Sequence, residues 1–273
     1  MKKLIPILFM MILLVSCSES EQKTAADAPT IQLNKEEKVF QKQLSLADYP
    51  DEASEWGEDV TNVKHSFQTD KREMALTFDA CGGDFGNDVD EELLEFLIDE
   101  QIQATIFVNK RWAKSNEELF KQLANNDLFK IANHGTEHQP LSIDGGDAWG
   151  IDATRSKEEV VNEIMDNQEY IYELTGERMT LFRSGTAYYD EVAVSIANDL
   201  GHEVVNYDIL GDAGATYSKE QVRDALMQAD NGSIALLHMN QPSSGTAEGV
   251  KLAIPLLRDK GFEFTHIPEQ QLQ

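Results

Sequence analysis

From about residue 72 onward, runs that favour strands alternate with runs that favour helices, and this alternation constrains the fold more than any other feature. EMALTFDA is followed by ELLEFLIDEQ, ATIFVNK by NEELFKQLANN, and FKIANH by SKEEVVNEIMDNQEYIYELTG. TLFRSG precedes EVAVSIANDLG, HEVVNYDIL precedes KEQVRDALMQA, SIALLHM precedes AEGVKLAIPLLRDKG, and FEFTHI comes last. Seven such strand runs predict an α/β fold: a distorted (β/α)7-type barrel of parallel strands with surrounding helices. Ser156 with Glu159 and Ser218 with Gln221 read as capping boxes, Asp190 as an N-cap, and Gly176, Gly201 and Gly261 as helix stops.

The amino terminus, MKKLIPILFMMILLVSC, has two lysines, an apolar stretch of about a dozen residues and a small residue before Cys17. That stretch is shorter than the roughly 20 apolar residues a membrane-spanning helix needs. LVSC resembles a bacterial lipobox, so residues 1–16 are expected to be a signal peptide and Cys17 the lipidated first residue of the mature chain. The expected location is then the cell envelope, as a membrane-anchored lipoprotein. In a bacterium with two membranes, Ser18 after the cysteine points to the outer one. Residues 17–61, poor in apolar residues, read as a tether and N-terminal extension, and 62–273 as one domain. Cys81 is the only other cysteine, so a lipidated Cys17 leaves no disulfide to stabilise the fold. The net charge of −26 makes nucleic acid and anionic lipid surfaces poor partners. A monomer is expected.

In a barrel of this kind the chemistry gathers at the C-terminal ends of the strands. The polar residues there are Asp79, His134 with His138, Arg183, Asp208 with Asp212, and His238. His134 and His138 have the i, i+4 spacing of zinc-binding pairs, and their place on the reactive rim favours metal binding over two solvated histidines. Trp149, Tyr188 and Tyr189 are candidates for stacking on sugar rings or for packing between loops.

Thr77-Phe78-Asp79, Ala104-Thr105-Ile106-Phe107-Val108, His134-Gly-Thr-Glu-His138, Phe182-Arg183-Ser184-Gly185-Thr186, Asp208 to Asp212, and Leu236-Leu237-His238 occur in one order. Together they resemble the polysaccharide deacetylases of carbohydrate esterase family 4, over roughly Arg72 to Pro268. The resemblance implies a divalent metal, by its ligand set Zn²⁺, on His134 and His138, with Asp79 as general base and His238 as general acid. Arg183 would hold Asp79 ionised, Asp208 would keep His238 cationic, and Leu236 would wall the acetyl pocket. TFDAC with FRSGTAYYD resembles a distinct branch of the family. The implied substrate is an acetylated envelope or extracellular polysaccharide.

Three departures from the family pattern matter. Ala80 stands where a metal-ligating Asp is usual, so a third ligand is expected from Asp84, reached through Gly82-Gly83, or else from Asp79 itself. The loop after Arg183 lacks the usual Pro-Tyr, which leaves a backbone N–H near Gly185 to Tyr188 as oxyanion donor. The stretch DILGD makes Asp212 a rival to Asp208. Cys81 reads as a small buried residue. Two alternatives compete with the deacetylase: a non-catalytic carbohydrate-binding lipoprotein on the same scaffold, and a metal-dependent hydrolase of another small amide.

Overall fold

The structure is a computed structural model and describes residues 44–84 and 86–273. The expected signal peptide, Cys17 and the first part of the expected tether lie outside the described residues. In chain order, β1 (Glu73–Ala80) is followed by α1 (Glu91–Asp99), β2 (Ala104–Val108), α2 (Lys110–Ser115), α3 (Glu117–Ala124) and β3 (Phe129–Asn133). An antiparallel hairpin of β4 (Asp147–Ala148) and β5 (Ile151–Asp152) precedes α4 (Lys157–Thr175) and β6 (Leu181–Phe182). Then come α5 (Glu191–Asp199), β7 (Glu203–Val204), β8 (Ile209–Leu210), α6 (Lys219–Leu226), β9 (Ser233–His238), α7 (Thr246–Asp259) and β10 (Glu263–Phe264).

The main sheet is parallel, in the order β7-β6-β3-β2-β1-β9-β8, and β10 pairs with the first residues of β1 below β2. This is the curled, helix-ringed sheet expected from the alternation. Its seam falls between β7 and β8. Residues 64–67 lie across it, with Lys64 bridging to Val205 and Ser66 to Ser233.

Burial on both faces explains why the strands are continuous apolar runs. On β1, Met74, Leu76, Phe78 and Ala80 face outward into a core shared with Leu93, Leu97, Trp112 and Ile254 of the helices. The opposite parity faces the barrel interior, where Ala75 packs with Phe107, Ala132, Leu181, Val205 and Ile234. Each large apolar side chain buried in this way contributes about 1.5–3 kcal/mol. Asp79 follows Ala75 and Thr77 on the inner face.

The helix signals hold locally. Ser218 and Gln221 make a full capping box, and Gly176 ends α4 in the left-handed region at φ 73°. Ser156 Oγ accepts from the Glu159 amide, but the Glu159 carboxylate takes the Arg155 amide instead of closing a box. Residues 44–61, assigned from sequence to the tether and extension, pack on the domain. Leu46 and Val60 are buried, Gly57 bridges to Tyr189, and the Ser54 and Glu55 amides donate to the Glu191 carboxylate at 2.8 and 2.9 Å. Apolar residues there are too sparse to show a period. Among the described residues, no helix is long and apolar enough to cross a membrane.

Candidate active site

Strand register sets the first pair of groups. Asp79, on β1, is the direct register partner of His238 on the neighbouring strand β9, so two parallel strand ends deliver a carboxylate and an imidazole side by side. Asp79 is buried, and its Oδ1 accepts from Arg183 Nη1 at 2.8 Å. Arg183, fully buried just past β6, also donates from Nη1 to Thr77 Oγ1, from Nε to the Val205 carbonyl and from Nη2 to the Asn206 carbonyl. Its guanidinium lies over the Phe107 ring at 4.1 Å. One side chain thus ties β1, β6 and the chain after β7 together beneath the carboxylate it neutralises.

His238 Nδ1 pairs with Asp212 Oδ1 at 2.8 Å, while Asp212 Oδ2 accepts from the His238 amide at 2.7 Å and from Thr246 Oγ1 at 2.9 Å. Burial alone would lower the His238 pKa, but the Asp212 charge and hydrogen bond outweigh it and hold His238 well above the usual imidazole range. Burial likewise pushes the Asp212 carboxyl up, and His238 and Thr246 reverse this, leaving it low.

Asp208, expected to partner His238, does not. The run HEVVNYDIL is two short strands, so Asp208 lies before β8 and Asp212 beyond its end. The Asp208 carboxylate binds Ser233 Oγ and the Ile234 amide at the start of β9, remote from the reactive rim, and burial raises its pKa. Asp212→Asn should therefore move the alkaline limb of the kcat/KM profile to lower pH, because the charge that keeps His238 protonated is gone. An unmoved limb would separate Asp212 from the proton donor.

His134 follows β3, and its Nδ1 is bound to the Arg183 carbonyl at 2.9 Å, which presents Nε2 to the rim. Nε2 lies 3.7 Å from Cys81 Sγ and 3.7 Å from Asp79 Oδ2. Potential ligand atoms of Cys81, His134 and His138 all fall within 4.8 Å of one another. His138 adopts a left-handed backbone at φ 65°, and a side chain on Gly185 would collide with it, its carbonyl coming to 2.2 Å. The HGTEH loop is held by buried Glu163 of α4, whose carboxylate accepts from the amides of Thr136, Glu137 and Gln139. Burial pushes Glu163 up to about 7 against the pull of those amides.

Burial would raise the Cys81 thiol, but the His138 charge, the contact with His134 and the nearby His238 imidazole hold it well below the usual thiol range. For His134, the Asp79 charge and the thiol outweigh burial and raise the pKa. Asp84, the expected third ligand, is exposed and outside this cluster. Gly82 and Gly83, at φ 71° and 85°, turn the chain tightly against Arg111 and Trp112 of α2, which carries Asp84 away. The residues present fit a divalent ion. His138 Nε2 is buried without a hydrogen-bond partner, and two imidazoles with a thiol are a zinc-type donor set.

These groups open into a cleft of about 630 Å³ lined by Asp79, His138, His238, Leu236, Leu210 and Trp149, among others. Leu236 forms part of its apolar wall. Tyr188 stands behind Trp149, making ring contacts with Trp149 at 5.9 Å and Trp56 at 5.8 Å. Tyr189 is buried, its hydroxyl donating to Asn206 Oδ1. The Ala187 amide is taken by the Ser184 carbonyl, whereas Gly185 and Thr186 line the cleft. Thr186 Oγ1 is buried without a partner there. Sequence reasoning missed Glu58, which lines the cleft and accepts from Tyr207, and Glu163. The i+2 position of Cys81 after inward-facing Asp79 was a signal that could have been read.

A family profile described as polysaccharide deacetylase matches residues 67–205, more than half of the chain. The chain belongs to the polysaccharide deacetylase family. Protein YlxY of Bacillus subtilis is 24% identical over 187 residues, covering 68% of this chain and 54% of the relative. The peptidoglycan-N-acetylglucosamine deacetylase PgdA of Listeria monocytogenes is 25% identical over 208 residues, covering 74% of this chain and 39% of that protein. The chain thus spans only about half, or less, of the length of these two relatives. A wild-type CE4 family pseudoenzyme from Bacillus anthracis superposes with a TM-score of 0.63 at 21% identity, covering 77% of this chain and 69% of that one.

Proposed function

We propose that this deacetylase-family chain is an active, metal-dependent hydrolase that removes N- or O-linked acetyl groups from an envelope or extracellular polysaccharide. The observation that carries the reading is the register pairing of Asp79 with His238 beside the Cys81, His134 and His138 cluster. His134 and His138 would hold the ion. When bound, a divalent ion lowers the pKa of water toward about 7 and polarises a carbonyl. Asp79, fixed by Arg183, takes the proton from the attacking water. Gly185 and Thr186 border the place where the oxyanion of the tetrahedral intermediate develops. His238, held protonated by Asp212, gives its proton to the departing sugar nitrogen or oxygen. Leu236 and Leu210 receive the acetyl methyl, and Trp149 offers a sugar ring an exposed face.

A non-catalytic carbohydrate-binding role is favoured by Ala80 alone, a fully buried residue packed outward against the helices. The related proteins include both a named deacetylase and a pseudoenzyme, so activity decides. Acetate release from a panel of acetylated polymers is expected, abolished by a chelator and restored by Zn²⁺. About one equivalent of metal should accompany the protein, and His134→Ala or His138→Ala should remove it. Unchanged metal content in both variants would sink the site. Lipidation at Cys17 is part of this proposal and suits a substrate fixed in the envelope. Recovery of Cys17→Ser in the membrane fraction, processed as the parent is, would contradict it.

A further inference from the structure

Resting on the metal-dependent reading above, we infer that Cys81 supplies the third protein ligand, making a two-histidine, one-thiolate site in place of a carboxylate-bearing one. Ala80 is packed in the helix-side core and carries no ligand atom, whereas Cys81 lies two residues beyond inward-facing Asp79 and offers its sulfur to the histidines. The backbone of Cys81 is fixed, its carbonyl accepting from Arg111 Nη2 at 3.2 Å. Gly82 then turns so close to α2 that a Cβ there would meet the Trp112 amide nitrogen at 2.5 Å. The sulfur is thereby set 3.7 Å from His134 Nε2, with the rings of His134 and His138 edge to face at 5.0 Å around it.

Of the acids near the cluster, Asp79 has its Oδ1 engaged by Arg183, and although its Oδ2 lies 3.7 Å from His134 Nε2 it falls outside the set of ligand atoms within 4.8 Å of one another; Asp84 is exposed. On coordination the thiol proton leaves to solvent and the S–metal bond forms, with no change of oxidation state. A thiolate with two imidazoles selects Zn²⁺ over the hard ions Mg²⁺ and Ca²⁺. It also makes the site open to alkylating and oxidising reagents when the metal is absent.

The test is to strip the full-length protein with a chelator and reload it with Co²⁺. A thiolate ligand gives a sulfur-to-cobalt charge-transfer absorption in the near ultraviolet that nitrogen and oxygen ligands do not. We expect that absorption at one equivalent of Co²⁺ in the parent, its loss in Cys81→Ser, and metal affinity at least about tenfold weaker in that variant. Zn²⁺ should also protect Cys81 from iodoacetamide, read on the Cys81-containing peptide so that Cys17 does not interfere. Stoichiometric Co²⁺ without the absorption, or equal alkylation with and without Zn²⁺, overturns the thiolate ligand and leaves the metal reading standing. Failure of the parent to bind Co²⁺ or Zn²⁺ at all overturns both. The parent spectrum decides the matter even if Cys81→Ser does not fold.

Discussion

Asp79→Asn is expected to lower turnover on an acetylated polymer by about 10²–10⁴-fold, the range of a positioned general base. The substitution keeps the shape and one acceptor oxygen while removing the basic site. Metal content should persist, because His134, His138 and Cys81 are untouched, and this separates loss of the base from loss of the ion. Stability should fall as well. Asp79 is the only acid in contact with Arg183 among the described residues, so Asn leaves a buried guanidinium with neutral acceptors only. His238→Ala should lose turnover on a similar scale without emptying the metal cluster. If Asp79→Asn turns over a substrate near the parental rate, another group is the base and the carboxylate serves the barrel alone.

Most of the architecture was legible because a parallel sheet buried on both faces writes its strands as apolar runs, and helices between them write a different period. β1, β2 and β9 were plain, and so were the residues at their ends, Asp79 and His238. What failed was local. In HEVVNYDIL apolar and aromatic residues recur throughout and read as one strand, but Asn206 and Tyr207 sit between β7 and β8, where Asn206 Oδ1 accepts from Tyr189 and Tyr207 donates to Glu58. A break made by tertiary hydrogen bonds leaves no mark in composition, and it moved the partner of His238 from Asp208 to Asp212. Asp84 was favoured by nearness in sequence. Two glycines with positive φ decide direction, and they turn it outward. Cys81 reads from composition as packing, although the alternation that puts Asp79 inward also puts Cys81 inward. Residues 44–61 bury too few apolar side chains to announce themselves.

The largest stability effect should come from Arg183→Met, at about 3–5 kcal/mol, since removing one partner leaves Asp79 as an uncompensated buried charge. The side chain's other bonds deepen the loss: the Val205 and Asn206 carbonyls and Thr77 Oγ1 each lose a donor inside the barrel. Chemical denaturation reads this directly, and a cost under about 1 kcal/mol would mean that water or a rearranged strand end solvates Asp79. The double variant Asp79→Leu with Arg183→Met is more telling. Replacing a buried ion pair by apolar side chains is often neutral or stabilising, so the pair is a poor device for holding a barrel together. The double variant should therefore regain most of the stability that Arg183→Met loses, with a coupling energy of about 0.5–3 kcal/mol, and yet have no hydrolytic activity. Stability recovered without activity would assign the pair to the reaction, with the barrel bearing the cost of burying it. Stability not recovered would instead make the guanidinium's bonds to Val205, Asn206 and Thr77 the reason it is there, and Asp79 their counter-charge.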